Sequence, residues 1–129
     1  MKRILIIEDN EQNLYLATFL LERSGYEIVQ ARSGPEGIAL AGRQRPDLIL
    51  LDIQLPGMDG YDVAKALRRN EAVEEVPIVA VTSYAMVGDR ERALASGCTG
   101  YIEKPINPET FVREIEENLR GSSSARGAR

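Results

Sequence analysis

The sequence has no histidine, no tryptophan and a single cysteine, Cys98. The absence of histidine excludes every mechanism that uses an imidazole base of this chain, including the serine and cysteine triads. One cysteine can form neither an internal disulfide nor a cysteine-based zinc site. Cys98 is therefore expected to be a buried small residue, and its solitary occurrence fits a reducing, cytoplasmic setting.

Long hydrophobic runs and an excess of positive charge are missing as well. The strand-like apolar runs at 4–7, 48–51 and 78–81 are each four residues long. A membrane span needs about 20 such residues, and the apolar region of a signal peptide needs at least about 7. The 16 Lys and Arg against 20 Asp and Glu give a formal net charge of −4. This balance argues against a nucleic-acid-binding domain and against binding to a membrane surface through basic charge.

The length and the apolar content suit one domain. A chain of 129 residues with 43% hydrophobic residues can bury a core without disulfides or structural metal. We predict that the domain covers residues 1–120. Residues 121–129 read GSSSARGAR and have no apolar pattern, so they are expected to form a disordered C-terminal tail.

Short β-type runs alternate with helical stretches along the domain. Strands are predicted at residues 3–7, 27–31, 48–51, 78–81 and 100–103. Helices are predicted at residues 11–24, 34–43, 61–69, 87–96 and 108–120. The first, third and fourth strands are almost continuously apolar, which is typical of parallel strands buried on both faces. Five β-α units of this length predict a three-layer α/β sandwich with right-handed crossovers.

Two helix starts carry capping signals. Ser33 is followed three residues later by Glu36, which is a capping-box pattern. Asn107 is followed by Pro108, which is typical of an N-cap with proline at the first helical position. The fifth helix is therefore predicted to begin at Pro108.

Reactive side chains follow the predicted strands at the point where each strand ends. In open α/β sheets, the functional site lies beyond the carboxyl ends of the strands, near the switch in strand order. The polar residues at those ends are Glu8, Asp9, Asp52, Thr82, Ser83 and Lys104. The sequence therefore predicts that three carboxylates, a hydroxyl and an amine converge on one edge of the sheet.

Three neighbouring carboxylates limit the chemistry of this edge. Two carboxylates about 4 Å apart repel by roughly 4 kcal/mol at an effective dielectric constant of about 20. Three of them need raised pKa values or a cation, and all-oxygen ligands suit Mg²⁺ or Mn²⁺. Such a site beside a hydroxyl and a lysine suits a phosphoryl group, with a carboxylate as the nucleophile. These residues indicate an aspartyl-phosphate site.

At these residues the sequence resembles the receiver domain of two-component response regulators. The blocks that carry the resemblance are IIEDN at 6–10, DLILLDIQLPGMDG at 47–60, VAVTS at 79–83 and YIEKP at 101–105. They occur in the family's order and spacing over about residues 2–120. Within this family, the sequence most resembles single-domain regulators of the DivK type. The resemblance implies a (βα)5 flavodoxin-like receiver fold whose parallel five-stranded sheet has the order 2-1-3-4-5.

The resemblance also implies a phosphoacceptor and a metal site. Asp52 would accept the phosphoryl group. Asp9 and Asp52 would bind Mg²⁺ directly, together with the backbone carbonyl of Gln54, and Mn²⁺ would be a substitute. Glu8 would act mostly through metal-bound water. The family more often has aspartate at that position, and the longer glutamate leaves its contact distance open.

Further roles carried over from the family concern the strand ends. Lys104 would pair with the phosphoryl oxygens, and the Lys104-Pro105 bond resembles the family's cis peptide. Thr82 would donate a hydrogen bond to the phosphoryl group, and Tyr101 would swing inward behind Thr82. Tyr84 lies two residues after that threonine, where a bulky ring is expected to shield the phosphoryl group and lengthen its lifetime.

The first helix has more apolar residues than one buried stripe needs. Leu16, Ala17 and Leu20 share one face at about 100° per residue, whereas Tyr15 and Phe19 point nearly opposite to it. One interpretation is a docking patch for a helical partner. The other is that Phe19 packs against the last helix.

The expected partners are a sensor histidine kinase or a histidine phosphotransferase upstream and a protein target downstream. The target would bind the face of the fourth helix, fifth strand and fifth helix, and its affinity would change on phosphorylation. No nucleic acid or membrane partner is expected, and the chain would be a monomer or weak dimer. Because Met1 directly precedes the first strand and the tail is short, a complete single-domain protein is favoured.

Four alternatives stay open on the sequence. The chain could be a receiver excised from a larger hybrid kinase or regulator, or a pseudo-receiver that is never phosphorylated. A phosphohydrolase of the haloacid dehalogenase type needs a second aspartate two residues after the nucleophile, where Gln54 stands. A flavodoxin-like FMN binder must cradle a phosphate in its first loop, which Glu8 and Asp9 would repel.

Overall fold

Five parallel strands form one sheet within residues 1–83 and 87–127, which the computed structural model describes. The strands are β1 (Arg3–Ile7), β2 (Glu27–Ala31), β3 (Leu48–Asp52), β4 (Ile78–Thr82) and β5 (Gly100–Glu103). Their order across the sheet is β2-β1-β3-β4-β5. The strand order that the sequence resemblance implies is confirmed, and all five predicted strands are present.

Helices cover both faces of this sheet, as the β-α alternation predicts. They are α1 (Glu11–Arg23), α2 (Gly34–Gln44), α3 (Gly60–Arg68), α4 (Asp89–Ala95) and α5 (Phe111–Gly127), with a 3-10 turn at Glu71–Val73. Helices α1 and α5 contribute to one hydrophobic cluster, and α2, α3 and α4 contribute to the other. The three-layer sandwich is therefore confirmed. No helix in the described ranges is long and apolar enough to cross a membrane.

The apolar runs of the sequence are explained by burial on both faces. In β1, Ile4 and Ile6 belong to the cluster under α1 and α5, whereas Leu5 and Ile7 belong to the opposite cluster. Successive side chains of a strand point to opposite faces, so a strand between two helical layers needs an apolar residue at each position. The same burial holds for β3 and β4, which places their polar last residues in a dry environment.

Several predicted boundaries differ from the structure. Strands β3 and β4 each extend one residue further, to Asp52 and Thr82. Helix α4 begins at Asp89 rather than at residue 87, because Gly88 precedes it with a left-handed φ of 91°. Such a φ is not helical, so the helix can begin only after the glycine.

The start of α5 is wrong in the sequence prediction, and its end differs. The Asn107 side chain accepts a hydrogen bond from the Glu109 N–H at 2.9 Å, as an N-cap does, but residues 108–110 form a turn and the regular helix α5 begins at Phe111. The backbone of α5 continues to Gly127, beyond the predicted end at residue 120. Glycine inside a helix is disfavoured by only about 1 kcal/mol, so Gly121 is a weak stop signal. The division into a domain and a tail stays a prediction.

Gly60 allows the start of α3 to lie directly against the end of β3. Its N–H donates to the Ile53 carbonyl at 3.1 Å, and a Cβ at Gly60 would stand 2.5 Å from the Ile53 Cα. That contact is with backbone, which cannot swing aside. We therefore expect Gly60→Ala to lower the free energy of unfolding by about 1–3 kcal/mol, measured by urea denaturation.

Gly42→Ala is the matched control for this substitution. At Gly42 the nearest atom to a new Cβ is the Asn70 Nδ2, the end of a side chain, at 3.1 Å. Alanine also improves the helix propensity of α2 at this position. An equal loss of stability in the two variants would contradict the steric explanation.

Cys98 is buried, as predicted from the sequence, and its burial favours the neutral thiol. Its side chain lies in the cluster under α2, α3 and α4, and burial raises the pKa of the thiol to about 11. Because the thiolate is the nucleophile, we expect slow labelling by a disulfide reagent at pH 8 in the native protein and fast labelling in urea. An exposed thiol from Ala39→Cys, placed in a Cys98→Ser background, is the fast reference. Equal native labelling rates would contradict the burial of Cys98.

Candidate functional site

The ends of four neighbouring strands bring polar side chains together at one edge of the sheet. Glu8 follows β1, Asp52 ends β3, Thr82 ends β4 and Lys104 follows β5. Strands β1, β3, β4 and β5 are adjacent in that order, so their carboxyl ends lie side by side. Glu8, Asp52 and Thr82 are all buried. The predicted convergence of carboxylates, a hydroxyl and an amine is therefore present in the structure.

Three carboxylates form the centre of the site. One oxygen each from Glu8, Asp9 and Asp52 lie within 4.8 Å of one another. Glu8 and Asp52 are 5% and 3% exposed, whereas Asp9 is exposed and opens the cluster to solvent. A small cation can therefore reach the cluster from the Asp9 side.

Lys104 is the cation that the chain itself supplies to two of these carboxylates. Its Nζ lies 3.0 Å from Glu8 Oε1 and 3.3 Å from Asp52 Oδ2. The Lys104-Pro105 bond is cis, as the resemblance implies, and the Lys104 N–H donates to the Thr82 carbonyl at 2.8 Å. The lysine thus faces the cluster from the β5 side, next to the last residue of β4.

The electrostatics of the cluster follow from its burial. Burial raises the pKa of the Glu8 carboxyl to about 7, and the hydrogen bond with Asp52 adds to the rise. Lys104 lowers the same pKa, and its effect is smaller than the combined effect of burial and Asp52. A carboxyl in this position releases its proton more readily when a second cation is near.

Backbone N–H groups orient the two buried carboxylates. The Gln54 N–H donates to Asp52 Oδ1 at 3.0 Å, and the Asn10 N–H donates to Glu8 Oε2 at 3.2 Å. Asn10 is also the N-cap of α1, where its side chain accepts from the Asn13 N–H at 2.9 Å. The loops after β1 and β3 therefore leave the other oxygen of each carboxylate facing Lys104.

The Gln54 side chain makes contacts that the sequence analysis missed. Its Nε2 donates to Thr82 Oγ1, and its Oε1 accepts from the Ser83 N–H at 3.0 Å. The carboxamide thus joins the loop after β3 to the end of β4. The sequence does show a long amide side chain two residues beyond the end of β3. The direction of that side chain, however, depends on the conformation of the loop.

The donor set fits a small divalent cation with a preference for oxygen. Glu8, Asp9 and Asp52 supply carboxylate oxygens, the ligand type that Mg²⁺ and Mn²⁺ take in proteins. Lys104 is paired with only two of these carboxylates, and the exposed Asp9 leaves an approach from solvent. The predicted part of the Gln54 carbonyl in such a site stays a prediction.

Tyr101 lies in β5 at the side of the site. Its ring is half-buried and packs against the cluster under α2, α3 and α4. It also lines a cleft of about 300 Å³ together with Arg90, Glu103 and Glu114. The cleft lies on the face of α4, β5 and α5 that was predicted to bind a target. The inward movement of Tyr101 stays a prediction, and Tyr84 lies outside the described residues.

The two aromatic rings of α1 are exposed. Tyr15 is 70% exposed and Phe19 is 44% exposed, and their ring centroids are 6.2 Å apart in a stacked arrangement. The Arg23 guanidinium lies 5.7 Å from the centre of the Phe19 ring. Of the two interpretations of this helix, the open patch agrees with these exposures better than packing of Phe19 against α5.

Comparison with known proteins gives a consistent result over nearly the whole chain. The sequence profile of the response regulator receiver domain matches residues 4–116. The polar-differentiation response regulator DivK of Brucella ovis is 47% identical over 118 residues, which cover 92% of this chain and 96% of that protein.

Solved structures agree with the sequence comparison. A CheY-like receiver domain protein from Methanospirillum hungatei JF-1 is similar with a TM-score of 0.89 and 31% identity, over 97% of this chain and 98% of that one. The receiver domain of the sensor histidine kinase PA1611 from Pseudomonas aeruginosa PAO1 has a TM-score of 0.84 and 35% identity, over 92% and 97% of the two chains. That structure has a magnesium ion coordinated in its active-site cleft.

Proposed function

The chain belongs to the response regulator receiver domain family, and from this membership we propose that Asp52 accepts a phosphoryl group from a histidine kinase or a histidine phosphotransferase. The observation that carries the proposal is the position of Asp52. It ends a buried strand, shares its site with Glu8 and Asp9, and lies 3.3 Å from the Lys104 ammonium. A nucleophilic carboxylate, an electropositive partner and an oxygen-lined cation site are what phosphoryl transfer to aspartate requires.

Besides the bound cation, phosphoryl transfer needs only the phosphohistidine of the donor and the Asp52 carboxylate. An Asp52 carboxylate oxygen forms a bond to phosphorus while the P–N bond of the donor phosphohistidine breaks. The electron pair of that bond stays on the imidazole nitrogen of the donor. Lys104, which lies 3.3 Å from Asp52, would hold a phosphoryl oxygen, and Thr82, at the neighbouring strand end, would donate a hydrogen bond to another.

We propose that the cation of this carboxylate cluster is Mg²⁺. Asp9 and Asp52 would bind it directly with the Gln54 carbonyl, and Glu8 would contact it through water. When bound, the ion would neutralise negative charge on the phosphoryl oxygens and on the Asp52 carboxylate. The structure of the PA1611 receiver, with a magnesium ion coordinated in its own active-site cleft, supports this assignment.

We further propose that phosphorylation changes the face of α4, β5 and α5. Thr82 and Tyr101 lie on adjacent strands, and an inward turn of both would alter the cleft that Tyr101 lines with Arg90 and Glu103. Phosphorylation would shift a pre-existing equilibrium between the two arrangements. A downstream protein in the cytoplasm would read the difference, with the chain acting as a monomer or weak dimer.

The experiment that tests the proposal is intact mass measurement after incubation with acetyl phosphate and Mg²⁺. We expect a gain of one phosphoryl group, located at Asp52 by peptide mapping, and no gain when EDTA replaces Mg²⁺. If neither acetyl phosphate nor a phosphorylated histidine phosphotransferase yields the gain, the chain is a non-phosphorylated interaction module instead.

The exposed rings of α1 are proposed to dock the histidine-bearing helix of the phosphodonor protein. Both rings are accessible, and α1 begins beside the site because Asn10 caps it directly after Glu8 and Asp9. Aromatic residues are the side chains that most often dominate binding at such interfaces. We expect the double variant Tyr15→Ala, Phe19→Ala to slow transfer from a phosphorylated protein donor about tenfold.

Acetyl phosphate separates docking from chemistry in this prediction. Because a small donor needs no docking surface, the double variant is expected to react with it at the wild-type rate. Leu94→Ala, which removes an exposed apolar side chain of α4, is the matched control and should leave both rates unchanged. A protein-donor rate that equals the wild-type rate would overturn the docking assignment.

A further inference from the structure

The Gln54 carboxamide joins two segments that meet at the site. Its backbone N–H donates to Asp52 Oδ1 at 3.0 Å, so the residue is fixed to the proposed phosphoacceptor. Its side chain reaches the end of β4, where Nε2 donates to Thr82 Oγ1 and Oε1 accepts from the Ser83 N–H. One residue thus contacts both the acceptor and the strand end that would have to respond to its phosphorylation.

The orientation of the carboxamide is fixed by chemistry. The Ser83 N–H can only donate, so the group that faces it must be the Gln54 carbonyl oxygen. The amide nitrogen must then face Thr82, whose hydroxyl accepts the bond. The amide nitrogen of Gln54 therefore holds the Thr82 hydroxyl in place, and the carbonyl oxygen of Gln54 occupies the Ser83 N–H.

A phosphoryl group on Asp52 would compete for the same two partners. Its anionic oxygens are stronger acceptors than an amide carbonyl, and the Ser83 N–H cannot form a straight hydrogen bond to both. The Thr82 hydroxyl would have to turn toward the phosphoryl group, away from its present contact with Gln54. The Gln54 side chain is exposed, so it can leave the strand end for water.

We propose that the Gln54 carboxamide is a latch that holds the end of β4 in its unphosphorylated arrangement and must be released when Asp52 is phosphorylated. Gln54 is then a positioning residue, because it acts through Thr82 and the Ser83 N–H. The proposal rests on the proposed phosphoacceptor function of Asp52. Gln54 would set how readily the site accommodates a phosphoryl group on Asp52.

The test is the affinity of the chain for beryllofluoride, a mimic of the phosphoryl group, in saturating Mg²⁺. Removing the latch by Gln54→Ala should tighten binding about fivefold, the effect of losing roughly one competing hydrogen bond. Gln44→Ala, at the C-terminal end of α2 and the opposite edge of the sheet, is the matched control and should bind as the wild type does.

A double variant tests whether Gln54 acts through Thr82. In a Thr82→Ala background the hydroxyl is gone, so Gln54→Ala should give a clearly smaller gain than in the wild-type background. A merely structural Gln54 would weaken binding in both backgrounds and show no coupling to Thr82.

The possible results separate the two proposals. Wild-type binding of beryllofluoride with no gain, or a loss, in Gln54→Ala would overturn the latch and leave the phosphoacceptor function standing. A loss would mean that the amide nitrogen helps to hold the phosphoryl group. Failure of the wild type both to bind beryllofluoride and to gain a phosphoryl group would overturn both proposals.

Discussion

Replacing Asp52 with asparagine is expected to reduce phosphoryl incorporation to background, with any donor and at any Mg²⁺ concentration. Asparagine keeps the shape of the side chain, but its amide is a poor nucleophile toward phosphorus. It also removes one carboxylate of the oxygen cluster and the group that Lys104 approaches at 3.3 Å. Intact mass after incubation with acetyl phosphate or a phosphorylated protein donor measures the effect.

Two controls show whether Asp52→Asn has lost the phosphoacceptor or the native fold. Asp62→Asn removes an exposed carboxylate in the first turn of α3 and should leave the mass gain at its wild-type level. Asp52→Asn itself should unfold at or above the wild-type urea midpoint, because it removes one of three crowded negative charges while Lys104 keeps Glu8 as its ion-pair partner at 3.0 Å. A phosphoryl group retained by a folded Asp52→Asn would show that another residue is the acceptor.

The sequence predicts those residues of the site whose positions are set by the ends of the strands. Asp52 and Thr82 come directly after buried apolar runs, and Lys104 follows the fifth predicted strand. Parallel strands end at the same edge, so the sequence places these side chains together without any knowledge of the loops. The apolar strands and their order bring the carboxylates within 4.8 Å of one another.

The parts that the sequence does not predict depend on loop conformation. The Asn107 side chain accepts from the Glu109 N–H as an N-cap does, but residues 108–110 form a turn and the regular helix begins only at Phe111. The side chain of Gln54 reaches β4, although its position in the sequence fits a side chain without hydrogen bonds to other residues equally well. A local pattern is compatible with several loop conformations, and the packing of neighbouring strands selects one.

Replacing Lys104 with methionine is expected to lower the free energy of unfolding by about 3 kcal/mol in EDTA, measured by urea denaturation. Methionine has a similar length but no charge. Glu8 and Asp52, which are 5% and 3% exposed, would then face each other without the ammonium that lies within 3.3 Å of both. Breaking a buried ion pair by removing one partner is costly because the remaining carboxylates must either stay charged without solvent or take up a proton.

The same variant should gain more stability from Mg²⁺ than the wild type does. In the wild type, we expect a metal ion to compete for the oxygens of Glu8 and Asp52 with the Lys104 ammonium, which lies 3.0 and 3.3 Å from them. Without the ammonium, the carboxylates bind the ion more tightly, and ligand binding to the native state raises the free energy of unfolding by mass action. Lys65→Met, at an exposed position of α3, controls for loss of a charge and should shift the urea midpoint little. Equal responses of wild type and Lys104→Met to Mg²⁺ would mean that lysine and metal do not share these oxygens.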